Sequence, residues 1–164
     1  MDYTDPFLAQ FDFVIASVHS HMALSRSAMT ERVCRALRHP SVRILAHPTG
    51  RLLLSRQAYG IDMAEVLRVA GAEGVVVEIN ANPRRCDLDW RLGRLAQASG
   101  VRTMIAPDAH SVEGYDVVRF GAGIARKGWW QPDDVLNTWS QEKVALWMKQ
   151  CKRGARARKK SRRS

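Results

Sequence analysis

F-V-I-A-S-V-H-S-H-M, residues 13 to 22, carries six residues rich in β-formers straight into His19, with His21 two positions later. Three other short apolar runs have the same character: V-R-I-L-A at 42–46, V-V-V-E-I at 75–79 and V-R-T-M-I-A at 101–106. Their starts lie 29, 33 and 26 residues apart. The segments between them are spaced for helices. Met29, Val33 and Leu37 fall on one helical face, and Leu88, Leu92 and Leu95 form another stripe. Asp62, with Glu65 three residues on, predicts a capped helix start. Strand then helix at this period predicts an α/β fold built of βα units around a parallel sheet. After the fourth strand, residues 115–127, 133–139 and 141–151 are expected to be helical, the second opened by Pro132 in its first turn.

The residue after each strand matters more than the strand itself. His19 follows the first run and His47 the second, Asn80 follows the third, and Asp108 and His110 follow the fourth. In parallel βα folds the carboxyl ends of the strands form the functional face. Three of the five histidines therefore sit at equivalent strand ends. Imidazole and carboxylate ligands suit zinc, manganese or iron, whereas the scattered cysteines argue against a thiolate site. A metal on such a face polarises a phosphoryl or carbonyl oxygen and supplies hydroxide near neutral pH. Arg51, Arg84 and Arg85 stand close enough in sequence to hold an anionic substrate. His21 and His39 do not share the strand-end position and are left out of the ligand set.

Composition narrows the surroundings. The 46% hydrophobic content is that of a globular chain. No apolar run approaches the ~20 residues that a bilayer requires, so no membrane is expected as a partner. The opening M-D-Y-T-D-P lacks the features of a signal peptide. Cys34, Cys86 and Cys151 form no CxxC pair and suit the reducing cytoplasm. The net charge of +10 is concentrated at one end. Lys152 to Ser164 holds eight basic residues and no acidic ones, leaving +2 for the rest. The expected division is a folded domain over 1–151 and a disordered basic tail over 152–164, the tail attracting polyanions without sequence preference.

The series S-V-H-S, I-L-A-H-P-T-G-R-L-L, V-E-I-N-A-N-P-R-R-C-D-L, P-D-A-H, A-R-K-G-W-W and V-L-N-T-W resembles the C-terminal part of the PHP (polymerase and histidinol phosphatase) domain of bacterial family X DNA polymerases. The likeness extends from about residue 11 to 150. It implies a distorted βα barrel of seven strands holding up to three divalent metal ions, manganese or zinc. It implies phosphoesterase chemistry, which in the polymerase setting is 3′–5′ exonuclease action and DNA-end processing in repair, with DNA ends or gaps as partners. Carried over by position, the metal ligands are His19, His47, Asp108 and His110; Asp108 and His110 are the expected catalytic residues, and Arg51 and Arg85, by their place beyond the strand ends, the expected substrate contacts. Cys86 and Pro107 depart from the family pattern without touching these residues.

Four βα units are visible where a closed barrel needs seven or eight strands. The H-x-H motif at the family's first barrel strand, and a glutamate beyond it, have no match before Phe13. His19-Ser20-His21 has that spacing but stands in the later motif's place. The expectation is a partial barrel lacking its N-terminal strands, a truncated form, or one whose missing strands come from a separate chain. Two other functions fit the same residues. One is an inactive remnant that binds nucleic acid through the basic tail; the other is a phosphomonoesterase similar to histidinol phosphatase.

Overall fold

The computed structural model describes residues 1–149, so the basic run at 152–164 and Cys151 lie outside the described residues. Among the described residues a short helix, α1 (Asp5–Leu8), precedes four strands and five further helices, the last running over 141–149 where a helix is expected. The strands are β1 (Val14–Ala16), β2 (Val42–Leu45), β3 (Val76–Asn80) and β4 (Thr103–Ala106). They pair in parallel in the order β1-β2-β3-β4, so each connection crosses over to the next strand. The expected α/β class and its four-stranded parallel sheet are thus present.

Each connection carries a helix: α2 (Arg26–Leu37), α3 (Met63–Glu73) and α4 (Gly93–Ala98), with α5 (Val118–Lys127) after β4. Ser25 accepts the Ala28 N–H at the start of α2, and Asp62 accepts the Glu65 N–H at the start of α3. Each cap satisfies an amide that has no partner within its helix. Gly74 ends α3 in the left-handed conformation that glycine adopts without penalty.

Side chains alternate between the two faces of the sheet along β2 and β3. Leu45 and Val77 face the main core with Met29, Val33 and Leu37 of α2 and Val66, Leu67 and Ala70 of α3. Ile44 and Val76 point the other way, onto Leu136 and Trp147. Strands β2 and β3 are therefore covered on both faces, which is why they are uninterrupted apolar runs.

Three expectations are corrected. The segment 133–139 is not one helix; it forms two short 3-10 turns, Pro132–Asp134 and Leu136–Thr138. Val135 between them is extended and bridges in parallel to Thr103. The Asn137 side chain accepts from the Ile105 N–H at 2.7 Å and donates to the Ile105 carbonyl at 3.0 Å. The segment thus covers the β4 edge, and pairing there outweighs helix formation. The segment after β4 opens with a 3-10 turn, Glu113–Val117, before α5 begins. In the third stripe Leu88 is buried, but Leu95 faces solvent and Ala96 packs inward, because Gly93 begins α4 a turn later than the spacing implied. No helix among the described residues is long and apolar enough to cross a membrane.

Candidate metal and phosphate site

At the carboxyl ends of β1 and β2, His19 and His47 meet. Their Nε2 atoms are 3.2 Å apart, and the rings stack with centroids 5.2 Å apart. Ser17 Oγ is 3.1 Å from the same His19 nitrogen. Parallel pairing of β1 with β2, whose register shifts between Val14 and Ile15, brings these two residues together across 28 positions of sequence.

The His47 loop is held from several sides. Its backbone N–H donates to Glu78 Oε2 of β3 at 2.6 Å. The Thr49 and Gly50 N–H groups donate to Asp87 Oδ2 at 2.9 and 3.1 Å. Tyr59 donates its hydroxyl to the Pro48 carbonyl at 2.8 Å. Gly50 adopts φ +63°, and a Cβ there would meet the Tyr59 ring at 2.3 Å, so A-H-P-T-G needs its glycine twice over. His47 has φ 31° and Asp108 φ 55°, left-handed backbone at two non-glycine positions. Such conformations persist where surrounding contacts impose them, and they concentrate at functional sites.

From β3, the N-A-N-P-R-R-C-D loop delivers Arg85 to Asp108, Nε to Oδ2 at 2.9 Å. The loop is shaped locally: the Asn82 carbonyl accepts from the Arg85 and Cys86 N–H groups, and its side-chain oxygen accepts from Arg84. Arg85 Nη1 is buried and has no partner among the described residues. Arg51 is placed differently. Its Nε donates to the Arg85 carbonyl, Nη1 to Asp89 at 2.6 Å, and Nη2 to the Cys86 carbonyl. Arg51 braces the loop; Arg85 is the guanidinium beside the strand-end ligands.

His110 Nδ1 lies 2.8 Å from the Asp108 carbonyl, which can only accept, so Nδ1 carries the proton and Nε2 keeps its lone pair. That is the tautomer a metal-ligating histidine uses. His47 Nδ1, in contrast, is buried without a partner. Two buried carboxylates were not evident beforehand: Glu78 at 6% exposure and Asp87 at 0%. For Glu78 a signal existed, since V-V-V-E-I-N places an acid inside a run buried on both faces. Asp87 had none.

These placements set the charges. Burial pushes Glu78 up to about 7, against the hydrogen bonds from His47 and Asn80. Burial also raises Asp87 to about 6 despite its amide donors. Burial, reinforced by the Arg85 charge, lowers His47 and keeps it neutral. Burial pushes Asp108 up, but the Asn80 hydrogen bond and the Arg85 charge outweigh it and hold its carboxyl below the usual range.

A stability profile follows. The folded chain binds Glu78 and Asp87 protons more tightly than the unfolded chain, so both groups favour folding as pH falls from about 8. Each fully differential proton contributes up to about 1.4 kcal/mol per pH unit. Below about 6.5 the unfolded chain protonates His47 while the folded chain resists, which offsets one of the two gains. Urea midpoints in chelator are expected to rise from pH 8 to 6.5 and to go on rising below it, because His47 cancels only one of the two gains. Glu78→Gln should remove most of the slope near pH 7; a flat wild-type profile over pH 8 to 6.5 would contradict the assignment.

Does this set suit a divalent ion? Two imidazole nitrogens converge, a third histidine has its Nε2 free to ligate, and a carboxylate stands within the same electrostatic neighbourhood. Nitrogen and oxygen donors of this kind suit zinc or manganese. Among the described residues no group of three or more His, Cys, Asp and Glu closes around one point, and Asp108 is held by Arg85. The fit is thus a two-imidazole half-site, with Asp108 paired to Arg85 and His110 bonded to the Asp108 backbone.

Strand ends bearing His, His, Asp and His on a parallel sheet, with the intervening motifs, place the chain in the PHP family as found in family X DNA polymerases. Over 149 residues, 91% of its length, it is 39% identical to the DNA polymerase/3′-5′ exonuclease PolX of Bacillus subtilis, of which it covers 26%. It is 27% identical over 130 residues to a probable phosphatase of Shewanella oneidensis, covering 71% of this chain and 48% of that protein. A probable phosphatase of Shewanella baltica matches at 32% identity over 82 residues, 49% of this chain and 30% of the relative. The chain therefore spans about a quarter of the polymerase and less than half of the phosphatases. No family model matches it.

Proposed function

We propose that this chain is the ligand-bearing later portion of a PHP barrel that hydrolyses phosphodiesters at DNA 3′ ends, in the cytoplasm and in the service of DNA repair. The single observation that carries the reading is the 3.2 Å approach of His19 and His47 at neighbouring strand ends. In it, His19, His47, Asp108 and His110 hold manganese or zinc, up to three ions once the barrel is complete. A divalent ion supplies charge for a phosphoryl oxygen and lowers the pKa of water. The protein's own part is orientation and charge. The Glu78 and Asp87 contacts fix the His47 loop, and the Asp108 carbonyl fixes the tautomer of His110. Arg85 pairs with Asp108, and its unpartnered Nη1 is the donor that would be available to a phosphate were a cation to hold that carboxylate. Arg51 acts through the loop it braces.

The remaining barrel strands, from a longer form of the chain or from a separate chain, add to β1. Among the described residues that strand pairs with β2 alone, and Ile15 on it is 50% exposed. The likeness to two probable phosphatases favours a second reading, a phosphomonoesterase for a small ester.

The test is hydrolysis by the purified full chain with added manganese or zinc. Substrates are a 3′-labelled DNA strand and a small phosphomonoester, each with a chelator control. Metal-dependent shortening of DNA supports the first reading, and turnover of the monoester alone supports the second. Turnover of neither, with metal bound, overturns both and leaves an inactive nucleic-acid-binding remnant.

A further inference from the structure

We propose that the surface carrying Trp90 and Trp129 is a stacking platform for single-stranded nucleic acid, a site distinct from the strand-end ligands. Two segments far apart in sequence build it. Lys127, from the last turn of α5, lies over the Trp90 ring at 4.4 Å. Arg94, from α4, lies over the Trp129 ring at 4.8 Å. The two pairs cross-link the same two stretches, so both indoles and both cations share one patch. Beneath them the backbones touch. A Cβ on Gly93 would meet the Gly128 carbonyl oxygen at 2.5 Å, and Gln97 Nε2 donates to the carbonyls of both Gly93 and Gly128.

The adjacent tryptophans have opposite fates. Trp130 is buried at 7% exposure, whereas Trp129 is 61% exposed. Trp129 holds φ +64° because it is the left-handed residue that ends α5: its N–H returns to the Arg126 carbonyl and the Trp130 N–H to the Ala125 carbonyl at 3.1 Å. Trp90 is exposed at 40%. Exposed indoles flanked by Arg and Lys are what single strands use: bases stack on the rings while the cations meet the phosphates. Arg91 extends the positive edge, partly neutralised by Asp89. Asp89 in turn binds Arg51, which holds the Arg85 loop, so this face joins the strand-end site through a continuous chain of contacts.

The proposal concerns binding alone and does not depend on metal chemistry. Its test uses the full chain in chelator, titrating labelled oligo-dT and an abasic oligonucleotide of the same length. The basic run at 152–164 meets the phosphates of both probes alike, so the difference between them reports base stacking. Wild type is expected to favour oligo-dT by roughly tenfold or more, on the stacking contribution typical per base. Trp129→Gly relieves the left-handed strain and should keep the thermal midpoint at or above wild type while losing most of that preference. Trp90→Ala should lose a comparable part, and Trp129→Phe, which keeps a ring, should retain most of it. Equal binding of the two probes by wild type, or full preference in Trp129→Gly, would overturn the proposal and leave this face to a protein contact or to solvent.

Discussion

Asp108→Ala is expected to lower metal-dependent hydrolysis by on the order of 1,000-fold, the several kcal/mol that a positioned cation contributes at about 1.4 kcal/mol per tenfold. Two effects combine. The substitution removes a carboxylate ligand, and it leaves the Arg85 guanidinium, already short of a partner at Nη1, as an uncompensated positive charge beside His47. That charge opposes a divalent ion. Arg85→Gln should behave in the opposite sense toward the metal, raising its affinity by removing the competitor for Asp108, while raising KM for the phosphate ester. Initial rates and metal titrations on both variants, with folding checked by circular dichroism, separate the two. Equal loss of metal affinity in both would contradict a competing role for Arg85.

Gly71→Ala is expected to destabilise the fold by about 3 kcal/mol, at the upper end of overpacking costs. A Cβ there would lie 1.8 Å from the Ser99 carbonyl oxygen and 2.9 Å from its carbon, so α3 and the end of α4 must separate. Alanine favours a helix interior over glycine by up to about 1 kcal/mol, and here contact overrides propensity. Gly123→Ala in α5 provides the control. Nothing lies within 4 Å of its would-be Cβ, so the propensity gain should appear undiminished. Thermal melts should move in opposite directions, down by roughly 6–12 °C for Gly71→Ala and up by a few degrees for Gly123→Ala.

What the residues disclosed in advance was local or periodic. The apolar runs marked the strands, Asp62 marked a helix start, and the repetition of histidine at strand ends marked the place where His19 and His47 meet. What stayed hidden is non-local. Arg51 looked like a substrate ligand by its nearness to His47, yet its partners lie 34 to 38 positions away on the Arg85 loop. Asp87 carries no pattern, because its burial depends on amides of the His47 loop crossing to it. The run 133–139 has helical spacing, but Val135 and Asn137 answer the unpaired edge of β4, and edge pairing decided their conformation.

The central claim is that the strand-end imidazoles ligate a divalent cation. Calorimetric titration of the full chain with manganese and with zinc, beside a His19→Ala/His47→Ala double variant, tests it most directly. Saturable binding by wild type, weakened at least 10- to 100-fold in the double variant, is the expected result. The same affinity in both proteins, or no binding by folded wild type, would contradict it.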